Sequence, residues 1–522
     1  SCQDSPLTTP PPPPSRLPHI QDHRGITAKR CGHQPPKPIA MGGEGAEGDG
    51  GLPAFERLHP SRFVVFSFPN PLDPSESGAR SLRVAVLDSP APSPAPSTAA
   101  MLVPPGRESD WVFSTPAGHL QLLLSSSASR LVLLGCPPSG DSPLPVYARP
   151  RPSSTFQHQR ALLPLLLALC PRSAFRGGAL PEVPFLSYED GVVWSRVVAV
   201  AAGPVAGEMV VEDVEVEMVE ADGADTSNPL LPPTASRERR RRVRFKRMPN
   251  LVQTQMRLVP EIAAATGSSC FRVETGVLVQ PYLAPMVAGL FLASSLIEEK
   301  THMGLRPRVL CLGVGGGALL TFLESHLGFD VLGVEADEVV LSAARQYFGL
   351  MEGEFLKVSV EDGIKLFKGF CGEDCAGKCC SGNACGRHGR LRWWQEYLDS
   401  AIDVIMVDLD SEDARSGVMA PPAEFVEKDV LSNVKSVLHE QGILVMNVIP
   451  VSGCVYGELV GYLHEVFSEL YEIGVGNGEN CVLFATVSPV AFPLFGNPRE
   501  SSFIQKLRQI VGSKYVDAIK KI

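Results

Sequence analysis

Four polar side chains close four successive apolar stretches in the second half of the chain: Glu335, Asp362, Asp408 and Asn447. Any one of them alone would more often be a turn or cap residue. Parallel sheets bind ligands outside the carboxyl ends of their strands, so side chains at consecutive strand ends converge on one crevice. The sequence therefore predicts a single polar site built from these four residues.

A glycine loop precedes the first of these acids. The apolar run 309–312 is followed by Gly313, Gly315, Gly316 and Gly317, then by leucines at helical spacing and a second apolar run, 331–334. Glycines allow backbone N–H groups to approach a ligand, and an acid about 20 residues further on can accept both hydroxyls of a ribose. This predicts a β-α-β unit with a nucleoside site, against the alternative of a tight turn without a ligand.

The spacing also distinguishes between nucleoside ligands. The loop has the pattern G-x-G-G-G rather than G-x-G-x-x-G, and no Lys-Ser/Thr pair follows it. Dinucleotide and triphosphate loops are therefore disfavoured. A nucleoside with a short charged tail fits better, and S-adenosylmethionine is such a ligand.

Each acid at a strand end has a chemical use in a methyl-transfer site. Glu335 would take the ribose hydroxyls, and Asp362 would accept a hydrogen bond from the adenine amino group. Asp408 and Asp410 would lie where donor and acceptor meet and would bind an ammonium. Asn447 or Tyr282 would orient the free amine. An α-amine, with a pKa near 8, loses its proton more easily than a lysine near 10.4.

Strand and helix patterns alternate around these residues. Strands are predicted at 356–360, 402–407, 442–447 and 481–487. Helices are predicted at 282–297, 338–348, 425–438 and 456–467. Such alternation predicts an open, mostly parallel α/β sheet of the Rossmann-like type.

Composition limits the function classes. The chain has 522 residues, is 44% hydrophobic and 20% charged, and carries a net charge of -10, which argues against a general nucleic-acid binder. Its 13 cysteines, with no evident signal peptide, indicate reduced thiols in a cytoplasmic protein. No apolar run reaches the roughly 20 residues of a membrane span.

The uneven spread of proline and glycine predicts the domain organisation. Residues 1–58 are expected to be disordered, and Met41 would serve as a start, which would leave 1–40 as upstream sequence. Residues 59–258 are expected to form an α+β module, with a strand ending near Phe113. Residues 259–495 form the expected site domain, and 496–522 a helical tail.

Two charge runs lie near the end of the α+β module. Residues 208–225 alternate acids with valines, and residues 237–247 are strongly basic. The basic run is either a patch for an acidic partner or RNA, or a solvated strand partly neutralised by the adjacent acids. Charge runs mostly face solvent, which favours the second interpretation.

A cysteine-rich insert at 369–392 contains Cys371, Cys375, Cys379, Cys380, Cys385 and His388. A zinc site usually uses C-x2–4-C pairs, a spacing met only in part here. A surface loop with incidental thiols is the favoured interpretation, so no metal site is predicted.

Several segments resemble a known family. Residues 309–337, 362–367 and 402–408 resemble the spermidine-synthase-like branch of class I methyltransferases. Residues 407–413 (VDLDSED), 417–422 (GVMAPP) and 425–426 look more closely like the methyltransferases that modify lysine and the amino terminus of translation elongation factor 1-alpha. Segments 103–113, 183–187, 210–214 and 244–258 extend the resemblance over about residues 60–520.

The resemblance implies a seven-stranded sheet, S-adenosylmethionine as cofactor and elongation factor 1-alpha as protein substrate. The implied cofactor positions are Gly313, Gly315, Gly317, Glu335, Asp337, Asp362, Gly363 and Asp408. Asp408, Asp410 and Asn447 are implied on the acceptor side. The family also has an amino-terminal domain credited with the lysine reaction, for which this chain shows no second glycine loop. A homodimer is left open.

Two other functions compete with this one. Polyamine synthases share the fold but usually have an Asp-Ser-x-Asp-Pro type segment after the fourth strand, where this chain has Asp408 to Asp413 without proline. A non-catalytic scaffold would keep the fold and bind a partner without binding a cofactor.

Overall fold

The computed structural model describes most of the chain from residue 55 onwards. The described ranges are 55–71, 81–90, 96–137, 146–149, 155–175, 179–186, 188, 191–218, 236–262, 269–368, 401–411, 420–450, 453–476, 480–490 and 501–522. Residues 1–54 of the segment expected to be disordered (1–58) and the cysteine-rich insert 369–392 lie outside these residues. Two compact units divide the described chain, and the second contains Gly191–Ile522.

The first unit is a five-stranded sheet with helices on both faces. Its five strands are β1 (Phe63–Pro69), β2 (Ser81–Asp88), β3 (Thr98–Leu102), β4 (Arg130–Gly135) and β6 (Phe185–Leu186). The short strand β5 (Val146–Ala148) follows β4 in the chain and is not part of this sheet. Its helices are α1 (Trp111–Ser114), α2 (Pro116–Ser126) and α3 (Thr155–Ala168). The sheet order is β1-β2-β4-β3-β6, and alternate residues of its strands pack on α3 and on α1 with α2.

One local prediction in this unit is wrong. The apolar residues 111–113 were expected to form a strand, but they belong to α1. The Asp110 carboxylate accepts the backbone N–H of Val112, and Thr115 caps the following helix by accepting from Gly118. These two caps satisfy backbone donors at the helix starts and favour helix over an extended conformation.

The second unit begins with an antiparallel meander. Its strands are β7 (Val192–Gly203), β8 (Gly207–Met218), β9 (Ser236–Phe245), β10 (Met248–Ile262) and β11 (Ser269–Val273), and each pairs with the next. The two charge runs are neighbouring strands here, since Glu212 lies opposite Arg242 and Asp213 opposite Arg241.

Ion pairs follow from this register. Glu212 accepts from Arg242 and Arg244 at 2.7 and 2.6 Å, and Asp213 accepts from Arg241 at 2.7 Å. These side chains are mostly buried, so the central arginines of the basic run are neutralised by acids rather than displayed to solvent. The described residues therefore support the interpretation that adjacent acids partly neutralise the basic run. They do not support its other part, because this stretch of the strand is not solvated.

The main sheet of the second unit lies further along the chain. Its strands are β12 (Arg308–Leu312), β13 (Asp330–Glu335), β14 (Leu356–Val360), β15 (Ile402–Val407), β16 (Leu438–Val448), β17 (Glu469–Gly474), β18 (Cys481–Thr486) and β19 (Lys520–Lys521). Their order is β14-β13-β12-β15-β16-β18-β17-β19. The first five strands of that order are parallel, and β18 is antiparallel to both its neighbours. The expected open, mostly parallel sheet is confirmed, with β17 and the two-residue β19 as strands that the patterns did not indicate.

Helices cover both faces of this sheet. They are α4 (Leu283–Ala288), α5 (Ser294–His302), α6 (Ala318–Phe322), α7 (Glu338–Tyr347), α8 (Gly363–Lys368), α9 (Lys428–Val437), α10 (Gly453–Val466), α11 (Ser502–Val511) and α12 (Ser513–Asp517). The helix expected over 282–297 is interrupted by a 3-10 turn at Gly289–Ala293. A Cβ on Gly289 would lie 2.0 Å from the Phe484 ring, so the break coincides with a close approach to β18.

The two sheets of the second unit share a core. Val309 and Cys311 face a cluster that also contains Met209, Val243 and Met256 of the meander. Leu310 and Leu312 face the opposite cluster, under α9 and α10. Contacts thus group residues 191–258 with the main sheet. The sequence predicts a domain boundary at residue 258. That the parts on either side of it fold independently stays a prediction.

Candidate functional site

A cavity of about 1040 Å³ opens at the carboxyl ends of the parallel strands. The loops after five parallel strands line it, as does the β9–β10 hairpin. Of the residues predicted from sequence, it is lined by Gly313, Gly315, Glu335, Asp337, Asp362, Gly363, Asp408, Asp410 and Asn447. These positions lie together because the carboxyl ends of parallel strands meet at one edge of the sheet.

The glycine loop after β12 requires glycine for two reasons. Gly313, Gly315 and Gly317 have φ values of 86°, 53° and 79°, a region that side chains disfavour. A Cβ on Gly313 would also lie 2.1 Å from the Asp408 carbonyl oxygen. Strand β10 of the meander also holds the loop, because the Gly316 N–H donates to the Thr254 hydroxyl at 3.3 Å.

Glu335 lies against this loop at the end of β13. One carboxylate oxygen accepts the N–H groups of Val314 and Gly315 at 3.2 and 3.4 Å, and the other accepts from Asp337 at 3.1 Å. Burial raises the pKa of Glu335, and these backbone donors partly offset that increase. The side chain faces the cavity rather than bulk solvent, as a ribose-binding acid must.

Asp337 has a structural task in addition to lining the cavity. One of its oxygens accepts from Val205 and Ala206 in the β7–β8 turn at 2.9 and 2.8 Å, and the other caps α7 by accepting from Val339. The side chain is 1% exposed. That Asp337 contacts a cofactor stays a prediction from the sequence. Its occupied oxygens make it a link between the meander and the loop after β13.

Asp362 and Gly363 begin helix α8. The Asp362 carboxylate accepts from the backbone N–H groups of Ile364 and Lys365 at 3.0 and 3.1 Å. Partial burial acts to raise the pKa of Asp362, but hydrogen bonds and the charge of Lys365 outweigh it and lower the pKa. The carboxylate is therefore ionised at the rim of the cavity, where it can accept from an amino group.

Asp408 is the centre of a hydrogen-bonded chain of side chains. One oxygen accepts from the Tyr282 hydroxyl at 2.9 Å and the other from the Asn447 amide at 3.0 Å. The Asn447 carbonyl in turn accepts from the Asn480 amide at 2.9 Å. Burial raises the pKa of Asp408 to about 6, against the lowering effect of its two donors. Burial and the Asp408 charge raise the pKa of Tyr282 well above 10, so the phenol stays a donor.

Asp410 is paired differently from its neighbour. Arg247, in the β9–β10 hairpin, donates to both Asp410 oxygens at 3.0 and 2.9 Å and to the Ser411 carbonyl at 2.6 Å. Burial raises the pKa of Asp410, and the Arg247 charge works against that increase. The pair ties the meander to the loop after β15, so Asp410 meets the cavity as half of an ion pair.

Five further residues at the site were missed by the sequence reasoning: Arg247, Gln253, Thr254, Gln280 and Asn480. Three of them come from the β9–β10 hairpin, which carries no strand-end acid and no glycine loop. The signal available was only the resemblance over 244–258. Asn480 precedes β18, an antiparallel strand whose beginning lies at the edge where the parallel strands end.

The side chains present fit an S-adenosylmethionine-type nucleoside. Gly313 and Gly315 line the cavity without a side chain, and two N–H groups of the loop are aimed at the acid expected to take a ribose. The cavity volume is at the upper end of ordinary ligand sites, which leaves room for a second reactant. Among the described residues no group of three or more His, Cys, Asp or Glu could hold a metal ion.

No protein-family model matches the chain. An "eEF1A lysine and N-terminal methyltransferase" of Danio rerio is 28% identical over 404 residues, which cover 74% of this chain and 50% of that protein. The protein of the same name from Homo sapiens is 26% identical over 431 residues, 77% of this chain and 53% of that one. The chain is related to these methyltransferases. It spans about half the length of the curated relatives it matches.

Solved structures similar to the chain include human methyltransferase-like protein 13 in complex with SAH. That protein is 24% identical with a TM-score of 0.33, over 45% of this chain and 92% of that one. A probable spermidine synthase of Corynebacterium glutamicum is 13% identical with a TM-score of 0.35, over 60% and 94%. The class I methyltransferase fold of the second unit rests on its own strand order, and the resemblance stated from the sequence is confirmed by the relatives.

None of the described helices is both long enough and apolar enough to cross a bilayer.

Proposed function

We propose that the chain is an S-adenosylmethionine-dependent protein methyltransferase that modifies the amino-terminal α-amine of elongation factor 1-alpha in the cytoplasm. One observation carries the proposal. The glycine loop with Glu335 and the Tyr282–Asp408–Asn447 chain of hydrogen bonds open into the same cavity. A nucleoside site and an amine site thus share one space.

The cofactor side is formed by the first three strand ends. The Gly313–Gly317 loop would lie under the nucleoside, Glu335 would take the ribose hydroxyls, and Asp362 would accept from the adenine amino group. S-adenosylmethionine supplies a sulfonium-bound methyl group, which passes to the lone pair of an amine while the electrons of the broken carbon–sulfur bond stay on sulfur. The protein contributes position, which is the largest factor in such a displacement.

The acceptor side is formed by Asp408 and its partners. With a pKa of about 6, Asp408 is a carboxylate at neutral pH and can bind an ammonium. A bound α-ammonium, with an ordinary pKa near 8, gives one proton to solvent water and so reaches its reactive form. This deprotonation costs less than that of a lysine ammonium. Tyr282 and Asn447 hold the carboxylate so that it faces the amine in one orientation.

Asp408, rather than Asp410, is the acid assigned to the ammonium. Both were predicted from sequence for this role. The two oxygens of Asp410 are occupied by Arg247, so its charge is already compensated. Its role in the proposal is to fix the loop after β15 against the hairpin above it.

The choice of acceptor protein rests on the names of the relatives, which state lysine and amino-terminal methylation of eEF1A. Between those two acceptors, an acid of pKa about 6 with neutral donors around it suits the more acidic α-amine. Transfer to a small polyamine, or no transfer at all, are the outcomes that would favour a polyamine synthase or a scaffold.

The test uses the full chain, labelled S-adenosylmethionine and elongation factor 1-alpha whose initiator methionine has been removed. We expect label on the α-amine, located by mass spectrometry of the amino-terminal peptide. Glu335→Ala should abolish cofactor binding in calorimetry and with it the transfer. Glu338→Ala, an exposed acid three residues away, serves as the matched control and should bind normally. Undiminished cofactor binding by Glu335→Ala would contradict the proposed site.

A further inference from the structure

Gln280 is a buried residue that lines the cavity. Among the described residues, only the nitrogen of its side-chain amide has a hydrogen-bond partner. Its nitrogen donates to the Val252 carbonyl oxygen of β10 at 2.6 Å. A carbonyl can only accept, so this contact fixes which end of the amide is nitrogen. Oε1 therefore points the other way, and it has no hydrogen-bond partner among the described residues. The side chain is 6% exposed, so bulk water does not reach it freely.

Gln280 lines the cavity together with Tyr282, on the side assigned above to the acceptor. The residue lies two positions before Tyr282, and its amide lies beside the Tyr282 phenol. That phenol donates to Asp408, the acid assigned above to the amine. A buried acceptor without a donor is costly, so such atoms in native proteins call for a partner. The cavity in front of Gln280 is where a ligand donor can supply it.

We propose that Gln280 determines how many methyl groups the amine receives, because its Oε1 accepts an N–H of the attacking amine. The proposal rests on the proposed function and extends it. Asp408 and Gln280 together offer two acceptors, one charged and one neutral. A primary amine has two N–H groups and one lone pair, so both acceptors are used while the lone pair stays free for the methyl group.

Each methyl transfer removes one of these donors. A monomethylated amine keeps one N–H, and a dimethylated amine keeps none. A dimethylated amine therefore leaves the Gln280 oxygen buried without a donor. A site built to hydrogen-bond a group discriminates strongly against an analogue that lacks it, since the buried partner is left unpaired. Gln280 favours the first transfer over the last.

The test compares two peptides in one variant. Gln280→Met keeps the length of the side chain and removes the acceptor. The peptides carry the amino-terminal sequence of the acceptor protein, one with a free α-amine and one dimethylated. Binding is measured by calorimetry in the presence of S-adenosylhomocysteine, and transfer by mass spectrometry. We expect the free-amine peptide to lose roughly tenfold in affinity and in kcat/KM, the size of one net hydrogen bond. The dimethylated peptide should bind the variant more tightly than the wild type, because the variant lacks the oxygen that this peptide leaves unpaired.

Equal losses for the two peptides would overturn the proposal, as would an unchanged preference. A loss of affinity for S-adenosylmethionine itself would show that the oxygen serves the cofactor and would also overturn it. If Gln280→Met fails to fold, as judged by circular dichroism, Gln280→Asn withdraws the oxygen by one carbon and is measured with the same peptides. Failure of the proposed function looks different: the wild type would then bind neither peptide.

Discussion

Asp408 has its acidity set by burial and by two neutral donors. A carboxylate with a pKa raised from 3.8 to about 6 favours its neutral form more in the folded than in the unfolded chain. It therefore costs folding free energy above pH 6, and this cost disappears as the pH falls towards 4. A residue that carries such a cost at neutral pH is a candidate for function.

Asp408→Asn should separate stability from activity. We expect the variant to lose transfer by roughly 100-fold or more, the usual effect of removing a positioned acid or base. Above pH 6 its free energy of unfolding should be higher by about 1–3 kcal/mol, because a buried charge is removed. Urea unfolding at pH 7.5 and pH 4.5 measures the difference, which should shrink at the lower pH. Wild-type activity in Asp408→Asn would contradict the assigned role.

Sequence reasoning at the residue scale found the four strand-end residues and placed them in one cavity. It could not see which of them had partners. Asp410 and Asp337 looked equivalent to Asp408 and Glu335 in sequence, but they are held by Arg247 and by the β7–β8 turn. Those partners lie over 100 residues away in the chain, and local patterns carry no information about such contacts.

The glycine loop is the element whose backbone the site depends on. Gly313 has a positive φ and a crowded Cβ position, whereas Gly328 has a positive φ of 79° with nothing within 4 Å. Alanine at Gly328 would therefore add backbone strain alone, whereas alanine at Gly313 would add both strain and a steric clash. The two effects can be compared, because both glycines lie in the same β-α-β unit.

Gly313→Ala should destroy cofactor binding, because its Cβ would be forced into the Asp408 carbonyl and would displace the loop after β15. Gly328→Ala should cost only about 1–2 kcal/mol of stability, the price of a left-handed conformation, and should bind the cofactor normally. Calorimetry with S-adenosylmethionine and thermal unfolding measure the two effects. Similar binding losses in both variants would show that strain, not crowding, controls the loop.

The β9–β10 hairpin is the element that the sequence assigned least well. Its arginines left a docking patch open as an alternative, yet Arg241, Arg242 and Arg244 are all paired with acids of β8. Arg241 also donates to the Tyr347 backbone carbonyl of α7. The register of β8 against β9 decided this, and register depends on pairing that a single strand does not reveal. Arg247, Gln253 and Thr254 of the hairpin, by contrast, lie at the site.

At the scale of the whole molecule, the site depends on the meander as well as on the main sheet. Thr254 holds the glycine loop, Arg247 holds Asp410, and the β7–β8 turn holds Asp337. Contacts place 191–258 in the same compact unit as the main sheet. A fragment cut at the domain boundary expected from sequence would lose all three supports.

Two fragments test this. We expect residues 191–522 to bind S-adenosylmethionine with an affinity comparable to that of the full chain, since every described residue lining the cavity lies within it. Residues 259–522 should bind poorly or fail to fold, because they also lose Met209, Val243 and Met256 from the shared core. Calorimetry and circular dichroism on both fragments decide the matter. Normal binding by 259–522 would support the sequence-based boundary instead.

The sequence by itself determined the parallel sheet, the glycine loop and the row of acids at the edge of the sheet. The hydrophobic period, the glycine spacing and the ends of the strands are local properties of the chain. Tertiary structure alone decided which partner each acid has. Asp408 accepts from the neutral donors Tyr282 and Asn447, while Asp410 and Asp337 are held by the meander. Ionic partners and burial come from strands paired across the fold, so only the assembled sheets set the charge of each carboxylate.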